Sequence, residues 1–271
     1  MSFLRGAVGS ISGARSGGFG DSARQLARAA SGLVWRADCL CCGRVVSPET
    51  ELPAAGWGVG DQLCADCGAQ LQRPWVREEP PVSVLPVFAA GTYGGPRRAL
   101  IIALKERLRP MAFHVAARLL EAGVMHLVRQ GSVPDPRWGQ VVLLPAPSRR
   151  HAARARGGDV VSRICHLVAA RHPGIAVVDV AYLDDVAADS VGLNRAQRRA
   201  NVSANLRVDK SELQNLRRLL RAEPQAGAWR LPTQVLIVDD VCTTGATLSQ
   251  FASVLRGRGV VVTAALVLAA A

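Results

Sequence analysis

The chain has 271 residues, 49% hydrophobic but only 4% aromatic, and carries a formal charge of +12. That length fits one large domain plus a small module, or two modest domains, and the apolar content can bury an aliphatic core; no apolar run approaches the roughly 20 residues of a membrane helix, so no membrane span is expected. A surface this basic attracts polyanions, whether nucleic acid, a polyphosphorylated substrate or anionic lipid.

Residues 1–20 are rich in Gly, Ser and Arg with no acid before Asp21. They read as a disordered leader, and a mitochondrial transit peptide has the same look. From Asp21 to Trp35, Ala23, Leu26, Ala27, Ala30, Leu33 and Val34 recur at helical spacing and predict a short helix. It leads into Cys39-x-x-Cys42-Gly43 and Cys64-x-x-Cys67-Gly68. Four thiolates at this spacing suit a tetrahedral structural zinc, each glycine letting the backbone turn tightly around a metal-bound pair. The 21 residues between the pairs slightly exceed the usual range, and Cys41 leaves the register open, although Gly43 favours Cys39 with Cys42. Redox C-x-x-C chemistry is the rival, and it lacks a surrounding βαβ pattern. A stretch this sparse in core-formers does not fold without the ion, so 21–72 reads as a helix plus a zinc-dependent module with no open position for catalysis. Seven cysteines used this way suit a reducing, cytoplasmic compartment better than disulfides.

Residues 73–83 (RPWVREEPPVS) are rich in Pro and charge and read as a linker; 84–271 reads as one α/β domain. Val84, Leu85, Val87 and Phe88 predict a strand. Tyr93-Gly94-Gly95-Pro96 turns into a helix from Arg97 to Arg107, with Leu100, Ile101 and Leu104 inward and Lys105 near its end. Pro110 opens a second helix that runs to about Arg129. Val141 to Leu144 is a buried strand ending in Pro145-Ala146-Pro147. The loop after it is basic: Arg149, Arg150, His151, Arg154, Arg156, then Gly157-Gly158. Arginine forks there suit a pyrophosphate leaving group; a solvated charge run is the plainer reading. A helix over Val160 to Val168 and a strand from Ile175 to Leu183 follow. Residues 184–201, ending in Arg198-x-x-Asn201, bury little before Leu193 and suit a moving lid, or an ordinary connection with a surface helix. Lys210 to Arg230 predicts a polar helix inserted before the next strand.

Val235-Leu236-Ile237-Val238 suits a parallel strand covered on both faces, with Asp239 and Asp240 marking its end. Thr243-Thr244-Gly245-Ala246-Thr247 then leads into a helix with Leu248, Phe251, Ala252 and Leu255 inward, and Val260 to Ala271 reads as a terminal core strand. Strand, acidic pair, hydroxyl-rich loop and helix make a workable phosphosugar cradle. Loop and helix N–H groups face an anion, and the carboxylates accept from ribose hydroxyls. A P-loop is excluded, since neither of the two lysines, Lys105 and Lys210, follows a glycine. A dinucleotide fold fails too: Gly56-Trp57-Gly58-Val59-Gly60 lacks the third glycine and follows no strand.

The stretch from Val235 to Leu248 is similar to the diphosphoribosyl-binding motif of type I phosphoribosyltransferases. The whole order of parts resembles the ComF family over roughly residues 22–268. The carriers are the cysteine module, Tyr93-Gly94, Leu104-Lys105, Leu144 to Pro147, Arg156-Gly157, Gly192-Leu193, Arg198-x-x-Asn201 and the D-D-x-x-T-T-G-x-T loop. The resemblance implies a type I phosphoribosyltransferase-like parallel sheet flanked by helices and preceded by a small zinc module held by Cys39, Cys42, Cys64 and Cys67. It implies binding of phosphoribosyl diphosphate with magnesium, phosphoribosyl transfer to an unidentified acceptor, and association with DNA uptake or processing. The implied partners are single-stranded DNA and DNA-processing proteins. In that reading Thr243, Thr244, Gly245, Ala246 and Thr247 seat the 5′-phosphate, while Asp239 and Asp240 hold the ribose hydroxyls. Arg156, Lys105 and the Gly157 backbone steady the departing diphosphate, and the segment around Arg198 and Asn201 excludes water. Two departures favour a non-catalytic scaffold acting beside DNA as the alternative. Gly158-Asp159-Val160 stands where the family commonly has Phe-Asn-Gln, and Ser190 stands where a glutamine often precedes the Gly-Leu pair. A zinc nucleic-acid binder is a third reading, with few aromatic groups (Trp57, flanked by Trp35 and Trp75) to serve it. No general base stands out; His151, His166 and His172 read as solvated or helix-surface groups.

Overall fold

The computed structural model describes residues 37–46, 62–149, 151, 153, 157–184, 205–221 and 231–271. The leader, the helix expected over Asp21 to Trp35, and the site candidates Arg156, Arg198 and Asn201 lie outside these residues.

Two short strands, β1 (Ala37–Asp38) and β2 (Val45–Val46), pair with each other around the first cysteines, and α1 (Ala65–Leu71) starts directly after Cys64. The stretch that reads as a linker contains β3 (Val76–Glu78), which pairs antiparallel with β4 (Val87–Ala89). Its prolines flank the strand, Pro74 before it and Pro80 and Pro81 after it, and an edge strand tolerates them there. α2 (Gly95–Lys105) and α3 (Pro110–Arg129) each carry proline in the first two positions, where a missing N–H leaves no carbonyl unpaired. Next come β5 (Gly139–Pro145), α4 (Val160–Ala169) and β6 (Ile175–Val177). The single strand expected from Ile175 to Leu183 is two. After β6 the chain leaves the main sheet, and β7 (Ala181–Leu183) pairs antiparallel with β8 (Leu206–Val208). α5 (Lys210–Arg221), β9 (Leu231–Cys242), α6 (Ala246–Arg256) and β10 (Ala264–Ala270) complete the chain. β9 runs past the acidic pair because β10 keeps pairing with it, Asp239 opposite Val267 and Cys242 opposite Ala270.

The main sheet has the order β3-β4-β10-β9-β5-β6 and is parallel except for β3. Its strands alternate strictly. Leu236 and Val238 of β9, with Val141 and Leu143 of β5, face a core shared with α2, α3, α4 and the cysteine module. Val235 and Ile237, with Val142 and Leu144, face a second core shared with α5 and α6. Burial on both faces is why these strands read as unbroken apolar runs. Each fully buried Leu, Ile or Phe contributes about 1.5–3 kcal/mol, so the two cores hold the central strands firmly. α3 is the one helix among the described residues long and apolar enough to cross a membrane by length and composition, yet 56% of that stretch is buried inside the protein.

Two consequences position the site. β5 leads into α4 on the first face, whereas its neighbour β9 leads into α6 on the second. Adjacent strands whose connections leave to opposite faces form a topological switch point, and a crevice opens there at their carboxyl ends. The cysteine module, meanwhile, is docked on α2 and α3. The Trp75 ring lies so close to Gly123 that a Cβ there would come within 2.6 Å of it. Arg97, only 7% exposed, donates to the Gln70 carbonyl at 2.8 Å. That carbonyl sits in the last turn of α1, where no intrahelical partner exists, so the buried guanidinium replaces the missing donor.

Candidate functional site

The four cysteines of the two pairs come together. The Sγ atoms of Cys39, Cys42, Cys64 and Cys67 all lie within 4.8 Å of one another, with Cys42 to Cys64 at 3.7 Å. A tetrahedron of sulfurs about 2.3 Å from a zinc ion has edges of about 3.8 Å, so the cluster fits such an ion in size and donor chemistry. The scaffold is local backbone: the Gly43 N–H donates to the Cys39 carbonyl at 2.9 Å, with Gly43 at φ +74°, and the Leu40 N–H donates to the Gln62 carbonyl at 2.7 Å. Gly68, expected to turn around the second pair, lies inside α1 instead, because Cys64 serves as the N-cap and Cys67 sits in the first turn. Cys41 is not in the cluster; its thiol is half-buried beside Cys67. The thiols also behave as a set. Burial raises Cys39, Cys64 and Cys67, yet the N–H groups of Cys42, Cys64 and Cys41 outweigh it at Cys39 and bring that thiol down to about 7. Burial and the neighbouring sulfurs push Cys64 and Cys67 up, and Cys41 to about 12. Crowded sulfurs disfavour further thiolates, and a cation among them relieves that repulsion. The four can hold a metal ion such as zinc.

The second site lies at the carboxyl end of β9. β5 stops pairing with β9 at Val238, opposite Pro145, so the edge of β9 facing the switch point is unpaired from Asp239 onward. By the alternation of the strand, Asp240 follows Leu236 and Val238 onto the α2 face. There its Oδ2 meets the Lys105 Nζ at 2.5 Å. Asp240 is 7% exposed and Lys105 far more open, so the lysine is both counter-ion and lid for a buried carboxylate. Asp239 is half-buried and accepts the Asp240 N–H at 2.8 Å. Burial, then the Asp240 carboxylate, pushes Asp239 up to about 8; the Asp240 N–H and Lys105 pull the other way, and Asp159 adds a smaller push. Burial and the neighbouring carboxylate thus hold Asp239 toward its neutral form beside the Asp240–Lys105 ion pair.

The loop after β9 is shaped by its neighbours. Gly245 caps α6 at φ +74°, a left-handed conformation glycine adopts freely, and a Cβ there would stand 2.3 Å from the Val82 carbonyl oxygen. Residues 80–82 lie across the loop as a strap: the Val82 N–H donates to the Thr244 carbonyl, and Ser249 Oγ donates to the Val82 carbonyl, both at 2.9 Å. The Ala246 N–H uses Thr244 Oγ1 at 3.4 Å, and the Gly245 N–H turns to the Cys242 sulfur. Thr243 is exposed and Thr247 half-exposed in the first turn of α6, whose N–H groups have no intrahelical carbonyl to meet. Cys242 itself is buried and pushed up to about 11 by that burial and by Asp239, so it is an inert thiol.

Of the expected substrate-side groups, Asp239, Asp240, Lys105 and the 243–247 loop are thus gathered at one strand end. Gly157 is exposed in the turn before α4 at φ +72°, while Arg156, Arg198 and Asn201 lie outside the described residues. Asp159, the departure noted above, caps α4 by accepting the Ser162 N–H at 2.8 Å. Beside it a cleft of about 290 Å³ opens past the end of β5, bordered by Ser148, Asp159, Asp179 and Tyr182. His166 reaches Asp179 at 3.4 Å on the surface, whereas His172, expected to be solvated, is paired with Glu121 at 2.5 Å. The strap, Asp159 and Cys242 were not signalled by any sequence pattern. Only the Pro80-Pro81 pair hinted that the stretch before β4 is stiff.

No protein-family model matches the chain. Among curated proteins it is 30% identical over 230 residues to the DNA utilization protein YhgH of Salmonella typhi, covering 82% of this chain and 85% of that one. It is 30% identical over 235 residues to the protein of the same name from Salmonella typhimurium strain LT2, with the same shares covered. At this identity and coverage the chain belongs to the family of the DNA utilization protein YhgH.

Proposed function

We propose that this protein binds phosphoribosyl diphosphate at the carboxyl end of β9 and works in the uptake or processing of DNA. The observation that carries the first half is the gathering of Asp239, Asp240 and the Thr243–Thr247 loop at the switch point between β9 and β5. The first turn of α6 offers N–H groups and hydroxyls to a 5′-phosphate. The carboxylates accept from the ribose hydroxyls, and the upward shift of Asp239 lessens repulsion of the incoming anion. Lys105 stands within reach of both Asp240 and a departing diphosphate. Magnesium would enter with the diphosphate, supplying charge compensation to the leaving group. The second half is supported by the relatives' name and by the ComF resemblance.

Transfer to an acceptor is the enzymatic form of this reading. A ligand-binding scaffold without transfer is the second reading, and one observation favours it: the Asp159 carboxylate is occupied in capping α4, leaving that loop position without a free side chain for substrate. Calorimetric titration with phosphoribosyl diphosphate and magnesium tests the shared core. Binding should be saturable and should vanish in the folded Asp239→Asn/Asp240→Asn variant; equal affinity in parent and variant would overturn the assignment. Release of diphosphate with any nucleobase or amine acceptor then decides for the enzyme, and bound ligand that persists unhydrolysed decides for the scaffold.

A further inference from the structure

The far end of the sheet carries a feature that the phosphoribosyl cradle does not use. α5 buries Leu213 and Leu216 against the second core and turns Arg217, Arg218 and Arg221 to solvent. The last turn of α6 and its exit add Arg256 and Arg258, also exposed. The two helices are tied at this point, because Arg217 Nη2 donates to the Arg258 carbonyl at 2.7 Å, and Arg258 Nη1 donates to the Val254 carbonyl at 3.0 Å. Among the described residues none of the five arginines makes an ion pair with a carboxylate. The acids of α5 sit at its other end, Asp209 accepting the N–H groups of Ser211 and Glu212, and Glu212 accepting from Asn215.

A helix dipole favours a cation in each last turn, which accounts for one or two of these residues. Five guanidinium groups drawn from two helices, with no carboxylate partner among the described residues, repel one another, and a row of phosphates relieves that repulsion. The same end of the sheet carries the two most exposed hydrophobic side chains among the described residues. Trp138, 70% exposed, immediately precedes β5, and Val261, 72% exposed, precedes β10. A tryptophan is usually mostly covered, and an open one at the end of the sheet that carries these arginines is a platform on which unpaired bases stack.

We infer that this end of the sheet, opposite the β9 loop, is a binding face for single-stranded nucleic acid, with Arg217, Arg218, Arg221, Arg256 and Arg258 on the phosphates and Trp138 stacking on a base. The inference rests on the DNA-associated role proposed above and gives it a surface separate from the cradle. Planar arginine forks match phosphates bidentately, and the single ring at Trp138 supplies stacking, not the broad apolar area that anchoring in a lipid surface needs.

Fluorescence anisotropy of the full chain with a fluorescein-labelled oligothymidylate, repeated across salt concentrations, tests it. Each phosphate contact contributes about 0.7 to the slope of log affinity against log salt, so Arg217→Ala/Arg218→Ala/Arg221→Ala should lower the slope by about 2 and weaken binding at low salt by on the order of tenfold or more. Arg256→Ala/Arg258→Ala, on the other helix, should lower it by about 1.4, so a disturbed α5 cannot account for both results. Trp138→Ala should weaken binding roughly tenfold with the slope unchanged. All three variants should keep the parent's calorimetric response to phosphoribosyl diphosphate. Parent-like DNA affinity in both arginine variants, or arginine-dependent binding to phosphatidylglycerol vesicles that exceeds binding to the oligonucleotide, would overturn the inference. Loss of the phosphoribosyl titration in the parent, with arginine-dependent DNA binding intact, would instead remove the cradle and leave this face standing.

Discussion

The cysteine module and the β9–α6 cradle both present groups suited to a charged ligand, yet they depend on that ligand in opposite ways. The module has two-residue strands and a seven-residue helix, too short to persist alone, and three of the four clustered thiols are buried among only a few aliphatic side chains (Leu40, Val46, Leu63 and Leu71). The cradle stands on Val235 to Val238, at most 1% exposed, between parallel partners that are themselves covered on both faces. In the first region an ion would be a structural part; in the second any ligand would be a guest in a frame already built. Such a contrast separates sites that are lost with their ligand from sites that wait for it.

The largest effect should come from the module. Removing its metal with a chelator, or replacing Cys39 and Cys64 with serine, should abolish a stabilisation on the order of 10 kcal/mol for that region. Hydrogen exchange should then rise to the unprotected limit across residues 62–72, while β5 and β9 amides stay protected. Protection lost equally in the sheet would erase the contrast. A smaller effect tests whether the cradle is truly prebuilt. Gly245→Ala places a Cβ against the Val82 carbonyl in a left-handed conformation, and urea unfolding without ligand should report a loss of about 2–4 kcal/mol. An unchanged midpoint would mean that strap and loop are not packed before ligand arrives.

The smallest effect concerns charge. The folded-state value of Asp239, about 8, lies above its ordinary 3.8, so folding takes up a proton between those values. Its contribution to stability is complete below about pH 4 and declines as pH rises toward 8. Asp239→Asn should remove that decline and raise stability by about 1–2 kcal/mol at neutral pH, even as it weakens phosphoribosyl binding. A parent whose urea midpoint is flat from pH 4 to 8 would show the carboxyl ionised throughout, and the cradle less neutral than described.

How much of this was legible in the letters follows from how local each cause is. Thiol spacing and the run from Val235 to Thr247 announce themselves because each is a short contiguous pattern with one dominant physical reason. The clustering of Cys39, Cys42, Cys64 and Cys67, without Cys41, needed only that Gly43 turn. Other features depend on distant partners. β3 hides in a proline-rich stretch because its pairing with β4, and not its own propensity, makes it a strand. The residues from Ile175 to Leu183 look continuous, yet Ala181 to Leu183 pair with Leu206 to Val208 and leave the main sheet. The extension of β9 to Cys242 is imposed by β10. The switch point itself appears only when the faces of α4 and α6 are known, since nothing in either helix states which side of the sheet it takes.

The carbonyl of Val82 over Gly245 has a mechanical consequence. A backbone oxygen that leaves no room for one extra carbon acts as a doorstop on one flank of the loop. When an occupant enters, the segment from Thr243 to Thr247 cannot recoil toward residues 80–82. Accommodation of any occupant is therefore one-sided: the give would have to come from the loop's other flank, away from residues 80–82.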